Sequence, residues 1–369
     1  MKFLFVATVR SHIGQFHMPL IRALKAEGHT VHAAYRDNSA DKKGLDLSAI
    51  DRVFEVPFER SPYKPGNLLA YRKLKAILDK GDYDIIHCHT PMGAVITRLA
   101  AGRARKRGAK VFYTAHGFHF YRGASKLNWA LYYPVEKLLS GRTDTLITIN
   151  REDHELALSR HFAAGRIVRI DGVGVELDRF RAVTEAERAA ARAELGFSEG
   201  QTVLLYAADL SKRKNQPMLF RALARLKERC PDLLLLLPGQ PILQAEYEAQ
   251  CAELGISHMV RFLGYRRDID RLLAACDAVV SSSRQEGLPL NLIEAAARGR
   301  FIIATDVRGN ADVVRQSGSG GLVKLNADEA MAAEIARLCA SAPEAPDRKN
   351  IECYDSRAIV KALFELYGI

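Results

Sequence analysis

The chain has 369 residues, more than the roughly 250–300 that a single hydrophobic core usually serves, so two domains are expected. With 48% hydrophobic and 26% charged residues it is not a disordered chain, and no apolar run reaches the roughly 18 residues of a membrane helix. The net charge of +11 is unevenly held: residues 1–170 carry 28 Lys+Arg against 15 Asp+Glu, the remainder 26 against 28. A basic half points to an anionic partner, whether nucleic acid, an anionic membrane surface or an anionic substrate.

Met1 to Arg10 holds too short an apolar run for a signal peptide and reads as a buried strand. Strand-like runs then alternate with amphipathic stretches: Phe3–Val9, Thr30–Tyr35, Arg52–Val56, Ile85–Cys88, Val111–Ala115, Leu146–Ile149 and Ile167–Ile170. The pattern restarts with Val203–Ala207, Leu233–Leu237, Val260–Phe262, Ala278–Ser281, Phe301–Ala304 and Gly321–Val323. This predicts an α/β protein of two doubly wound parallel units: residues 1–172, and residues 173–354 beyond a glycine-bearing hinge near 172–180. Ala182–Leu195 reads as a charged helix, and Asp355–Tyr367 as a closing helix after a turn bearing Pro343 and Pro346. The six cysteines are scattered without C-x-x-C spacing, which fits a reducing cytoplasm.

In open α/β sheets ligands bind beyond the carboxyl ends of strands, so the loops there carry the candidates. The first, Thr8 to Phe16, lacks the G-x-G-x-x-G of a dinucleotide-binding enzyme; its Gly14 is read as a loop glycine between strand and helix. His116, between Ala115 and Gly117 at a strand end, is placed to line a pocket. His87 and His89 share a strand face, but no third ligand follows at metal-site spacing. Asp82/Asp84 and Asp268/Asp270 mimic a D-x-D metal motif and are read as helix caps, so no metal is expected. Asp209-Leu210-Ser211-Lys212-Arg213-Lys214 opens a helix after a strand; Lys214 is the functional candidate, while Lys212 and Arg213 read as a solvated turn. No basic and aromatic platform for nucleic acid is found.

The most informative stretch is Arg284-Gln285-Glu286-Gly287-Leu288-Pro289-Leu290-Asn291-Leu292-Ile293-Glu294-Ala295-Ala296-Ala297-Arg298-Gly299. Pro289 suits a helix start and Gly299 its end, which puts Glu286 in the loop before the helix and Glu294 in its second turn. The helix start favours an anion, and the two carboxylates suit hydroxyl groups on either side of it. A nucleotide-sugar is such a ligand.

This stretch resembles the E-x7-E signature of retaining glycosyltransferases with the GT-B fold, and the resemblance extends over nearly the whole chain. It implies two Rossmann-like domains facing a central cleft: an acceptor-side domain 1–172, onto which a C-terminal helix 355–369 crosses back, and a nucleotide-sugar domain 173–354. It implies that His116, Lys214 and Glu286 are catalytic. Gly14, Gly287, Leu288 and Leu290 would approach the donor through their backbone, Lys214 would hold its diphosphate, Glu286 its sugar ring and Glu294 its ribose. No cofactor or metal is implied. Asp209 stands where the family usually has an arginine, so the second positive charge must come from elsewhere, Lys212 or Arg213 being at hand. Thr114 to Tyr121, Asn128 to Lys137 and Thr145 to Asn150 look like bacterial capsule, exopolysaccharide and lipid-linked glycan transferases. The implied reaction moves a hexose or N-acetylhexosamine from a UDP-sugar to an undecaprenyl-diphosphate-linked sugar. The enzyme would work in the cytoplasm, peripheral on the inner face of the plasma membrane. Leu68, Leu69, Leu74, Ile77 and Leu78, and Trp129, Tyr132, Tyr133, Leu138 and Leu139, are the segments expected to touch that anionic surface, or else to be core stripes. A soluble acceptor and a non-catalytic sugar-nucleotide sensor are the alternatives; the donor sugar, linkage and oligomeric state are not legible.

Overall fold

The computed structural model describes residues 1–40, 44–198, 200–341 and 345–369, so the expected turn residue Pro343 lies outside them. The chain forms two compact units, Met1–Gly174 with Ser356–Ile369, and Val175–Asp355. The first division falls after Gly174, two residues beyond the expected 172. Gly174 adopts φ +85°, and a Cβ there would meet Ser356 Cα at 2.5 Å, so the chain leaves and re-enters this unit through one tight crossing.

In the first unit seven parallel strands run β1 (Lys2–Val9), β2 (Thr30–Arg36), β3 (Arg52–Glu55), β4 (Ile85–His89), β5 (Lys110–Ala115), β6 (Thr145–Thr148) and β7 (Arg166–Arg169). Their order in the sheet is β3-β2-β1-β4-β5-β6-β7. In the second unit β8 (Thr202–Leu205), β9 (Leu233–Pro238), β10 (Val260–Gly264), β11 (Ala278–Ser281), β12 (Phe301–Thr305) and β13 (Gly321–Val323) take the order β10-β9-β8-β11-β12-β13. Strands such as β9, Leu-Leu-Leu-Leu-Leu-Pro and buried throughout, can be unbroken apolar runs because helices cover both faces of a parallel sheet. In each sheet the winding reverses once, between β1 and β4 and between β8 and β11, opening a crevice at the strand ends.

The closing helix, Ser356–Tyr367, belongs to the first unit. It buries Ile359, Leu363 and Tyr367 at four-residue spacing. Tyr367 is anchored between Phe3 and Phe112, and its hydroxyl lies 2.6 Å from His87 Nδ1. His87 Nε2 in turn meets Thr114 Oγ1 at 2.8 Å, so His87 is a packing residue and not a free ligand. The D-x-D aspartates are not caps by their side chains either. Asp84 accepts from the Lys2 amide at 2.7 Å, and Asp268, though at a helix start, grips the Arg266 guanidinium at 2.8 and 2.5 Å.

The segments expected at a membrane divide. Leu74, Leu78 and Leu139 are buried, and Trp129 and Tyr133 pack against Phe120. Leu68 and Leu69 are exposed, and so are Leu127, Leu131, Val135 and Leu138, which follow one another at helical spacing along the helix Lys126–Ser140. No helix among the described residues is long and apolar enough to cross a membrane.

Candidate active site

In the second unit the loops after β8 and β11, on either side of the winding reversal, bring the predicted residues together. Lys214 Nζ donates to Glu286 Oε1 at 2.5 Å, and Ser283 Oγ donates to the same oxygen at 2.6 Å. Arg213 Nη1 donates to Glu286 Oε2 at 3.0 Å and to the Gln285 carbonyl at 3.1 Å. Arg213 is exposed like Lys212, as the solvated turn read from the sequence implies, but its guanidinium also engages the buried Glu286 carboxylate. Burial alone would raise the Glu286 carboxyl, but Lys214 and Arg213 hold it below the usual carboxylate range.

The two loops are cross-braced. Tyr206, fully buried just after β8, places its hydroxyl 2.9 Å from the Lys214 carbonyl and 2.7 Å from Ser283 Oγ. Ser282 Oγ donates to the Asn215 carbonyl, Asn215 Nδ2 returns to the Ser282 carbonyl, and Asn215 adopts φ +57°, a conformation asparagine tolerates. Asp209 remains exposed, its carboxylate taking the Gln240 amide at 3.3 Å.

The helix of the signature runs Leu290–Ala297, with Pro289 at the N-cap position, one residue before the expected first turn. No side chain caps this start among the described residues, so Leu290 opens the helix with amides available to an anion. Asn291 ties it to the Ala207 carbonyl at 3.3 Å. At the far end Gly299, φ +74°, donates to the Ala296 carbonyl and Arg300 to the Ala295 carbonyl, which stops the helix in a Schellman turn. Glu294 lies in the second turn, half-buried, and burial pushes its carboxyl up to about 7. Gly287 and Leu288 sit beside Gly309, where a Cβ would meet the Gly287 carbonyl at 2.5 Å. Arg308 Nε donates to the Glu286 carbonyl at 2.9 Å. The loop after β12 thus holds the glutamate's backbone, a role its sequence did not reveal.

In the first unit His116 ends β5 as expected, and burial lowers it to about 4, leaving a neutral imidazole. Its loop is held by buried Asp153, whose Oδ2 accepts from the Phe118 amide at 3.0 Å. Gly14 departs from expectation. β1 runs straight into the helix Arg10–Phe16, and Gly14 lies inside that helix, where a Cβ would meet Leu45 at 3.0 and 3.1 Å. The parallel order β1-β4-β5 also groups His12, His17, His89 and His116, with one ring nitrogen from each within 4.8 Å of the others. Its members come from three segments far apart in the chain, the helix after β1, the end of β4 and the residue after β5, so no local spacing could announce the grouping.

Two family descriptions match: "Glycosyl transferases group 1" over residues 187–353 and "Glycosyltransferase Family 4" over residues 18–179. EpsD of Bacillus subtilis (strain 168), a candidate glycosyltransferase, is 43% identical over 337 residues, covering 91% of this chain and 87% of EpsD. The chain belongs to the family 4 glycosyltransferases of GT-B fold. Among other relatives of this transferase is the UDP-Gal:alpha-D-GlcNAc-diphosphoundecaprenol alpha-1,3-galactosyltransferase of Escherichia coli, 28% identical over 69% of this chain and 65% of that protein. The transferase fold is shared with HepE of Anabaena, solved with UDP and glucose, at a TM-score of 0.79 and 22% identity over 100% of this chain and 99% of HepE.

Proposed function

We propose that this glycosyltransferase moves a hexose or N-acetylhexosamine from a UDP-sugar to an undecaprenyl-diphosphate-linked sugar, with retention at the anomeric carbon. The observation that carries the reading is the Lys214–Glu286 contact beside an uncapped helix start, with Glu294 on that same helix. The donor diphosphate would take the amides at Leu290 together with Lys214 and Arg213, which meet the charge developing on the leaving group without asking a metal of it. Glu294 would accept from the ribose hydroxyls and Glu286 from the sugar ring. In a front-face route the bond from C1 to the phosphate oxygen breaks, the acceptor oxygen bonds C1 on the same face, and the acceptor's proton passes to the leaving phosphate.

A lipid-linked acceptor is favoured over a soluble one by two features of the first unit: its excess of Lys+Arg and the exposed stripe Leu127, Leu131, Val135 and Leu138. The name of the diphosphoundecaprenol galactosyltransferase points the same way. The test is transfer of label from a panel of UDP-sugars into organic-extractable lipid, using membranes that hold undecaprenyl-diphosphate sugars. Labelled lipid, lost in Lys214→Ala and Glu286→Ala, is expected. Binding of UDP-sugar without any lipid labelling would overturn the acceptor.

A further inference from the structure

The histidine cluster of the first unit is unlike an ordinary buried set of imidazoles. His116 Nε2 stands 3.2 Å from His12 Nε2 and 3.3 Å from His89 Nδ1. A ring nitrogen has a single in-plane site, either a proton or a lone pair, so it can satisfy one of these neighbours by hydrogen bonding and not both. Two further buried nitrogens, His17 Nε2 and His89 Nε2, have no hydrogen-bond partner among the described residues. Orphaned buried polar atoms are costly, but it is His116 Nε2, crowded between His12 Nε2 and His89 Nδ1, that asks for a missing partner. The spacing suggests which. Two imidazoles on a tetrahedral ion at zinc–nitrogen distances lie about 3.3 Å apart, nitrogen to nitrogen.

We propose that His12, His89 and His116 bind a divalent transition-metal ion of the zinc class. Imidazole-only ligation suits zinc, cobalt, nickel or copper and not magnesium or calcium, which want oxygen. His17 stacks on His89 with ring centroids 3.8 Å apart and planes 29° apart. Two rings so stacked cannot aim their lone pairs at one ion, so His17 is not a ligand and the fourth position is open. Three protein ligands and an open position are the arrangement of zinc sites that receive water or an anionic oxygen. The sequence supplies the set because the ends of β1, β4 and β5 are neighbours in the sheet.

The test uses full-length protein with no affinity tag, stripped with chelator and titrated with Zn2+ and Co2+ in the absence of any sugar nucleotide, so its outcome is independent of the transfer reaction. One equivalent is expected to bind, with the visible absorption of tetrahedral Co2+. His12→Ala and His89→Ala are expected to weaken binding by about tenfold or more, while His17→Phe keeps the stacked ring and the ion. Circular dichroism and melting curves confirm that each variant is folded, and His12→Ala, at a half-exposed position, is the variant on which the result rests. Failure to bind an equivalent, an octahedral Co2+ spectrum, or equal binding in His12→Ala would overturn the site. Loss of the ion in His17→Phe would overturn the three-ligand assignment.

Discussion

Lys214 Nζ and Glu286 Oε1 lie 2.5 Å apart at the ends of two strands, β8 and β11, that are neighbours across the reversal of the second sheet. The pair holds a buried carboxylate ionised and a cation in place before any ligand arrives, which is the preorganisation a departing diphosphate requires. Lys214→Ala is therefore expected to lower kcat by about 10²–10³. Steady-state kinetics with the preferred donor check this; an unchanged kcat would remove Lys214 from the transition state.

Arg213 occupies the second oxygen of the same carboxylate, and we propose that it, rather than Lys212, supplies the second positive charge that Asp209 does not. Arg213→Ala should reduce kcat/KM for the donor by about 10–100-fold, the cost of a charged hydrogen bond. Lys212→Ala, at an exposed neighbour, should change it little. Equal effects of the two substitutions would contradict the assignment.

Glu294 has its carboxyl lifted from 4.5 to about 7 by burial. Folding then takes up a proton between these values, so this group's contribution to stability is complete below about pH 4.5 and is lost as pH rises through about 7. Ionised Glu294 is the better acceptor for ribose hydroxyls, so donor affinity should rise over the same interval in which melting temperature falls. Glu294→Gln should flatten both profiles, measured by donor KM and thermal melting across neutral pH.

Arg98 and Glu136 form a buried ion pair at 2.9 Å in the first unit, with the Arg98 guanidinium 4.3 Å from the Tyr113 ring centroid. Arg98→Leu alone should cost about 3–5 kcal/mol by stranding the carboxylate, and adding Glu136→Leu should recover much of that loss. Denaturant unfolding of the single and double variants decides the point.

Gly14 tests whether its place in the helix Arg10–Phe16 serves ligand or packing. Gly14→Ala should press on Leu45 and destabilise by about 1–3 kcal/mol. Gly14→Ala with Leu45→Gly, which removes the Leu45 Cβ as well as its branch, should recover the lost packing while donor KM stays raised. Recovery of both would make Gly14 a packing residue.

Much of the fold is legible along the chain because parallel strands are short apolar runs between amphipathic helices, and each of the thirteen runs became a strand with its ends within two residues of those expected. Glu286 and Glu294 were legible for a similar reason: eight positions across a helix start are a local relationship, marked by Pro289 and Gly299. Arg213 was not, since nothing beside it says that its guanidinium turns toward a residue 73 positions away. Arg308, His12 and His17 escaped for the same cause, and His89 was legible only beside His87, not with the partners it meets.

The sequence by itself determined where each strand lies, which half is basic, and which loop carries the paired glutamates. Those properties depend on residues within a few turns of one another and on the burial of apolar side chains. Only the tertiary structure decided that Arg213 turns to Glu286, that Gly14 is helical, and that four histidines from three separate segments converge. Such contacts follow from strand order, which is settled by how two whole sheets bury their faces and is written in no single segment.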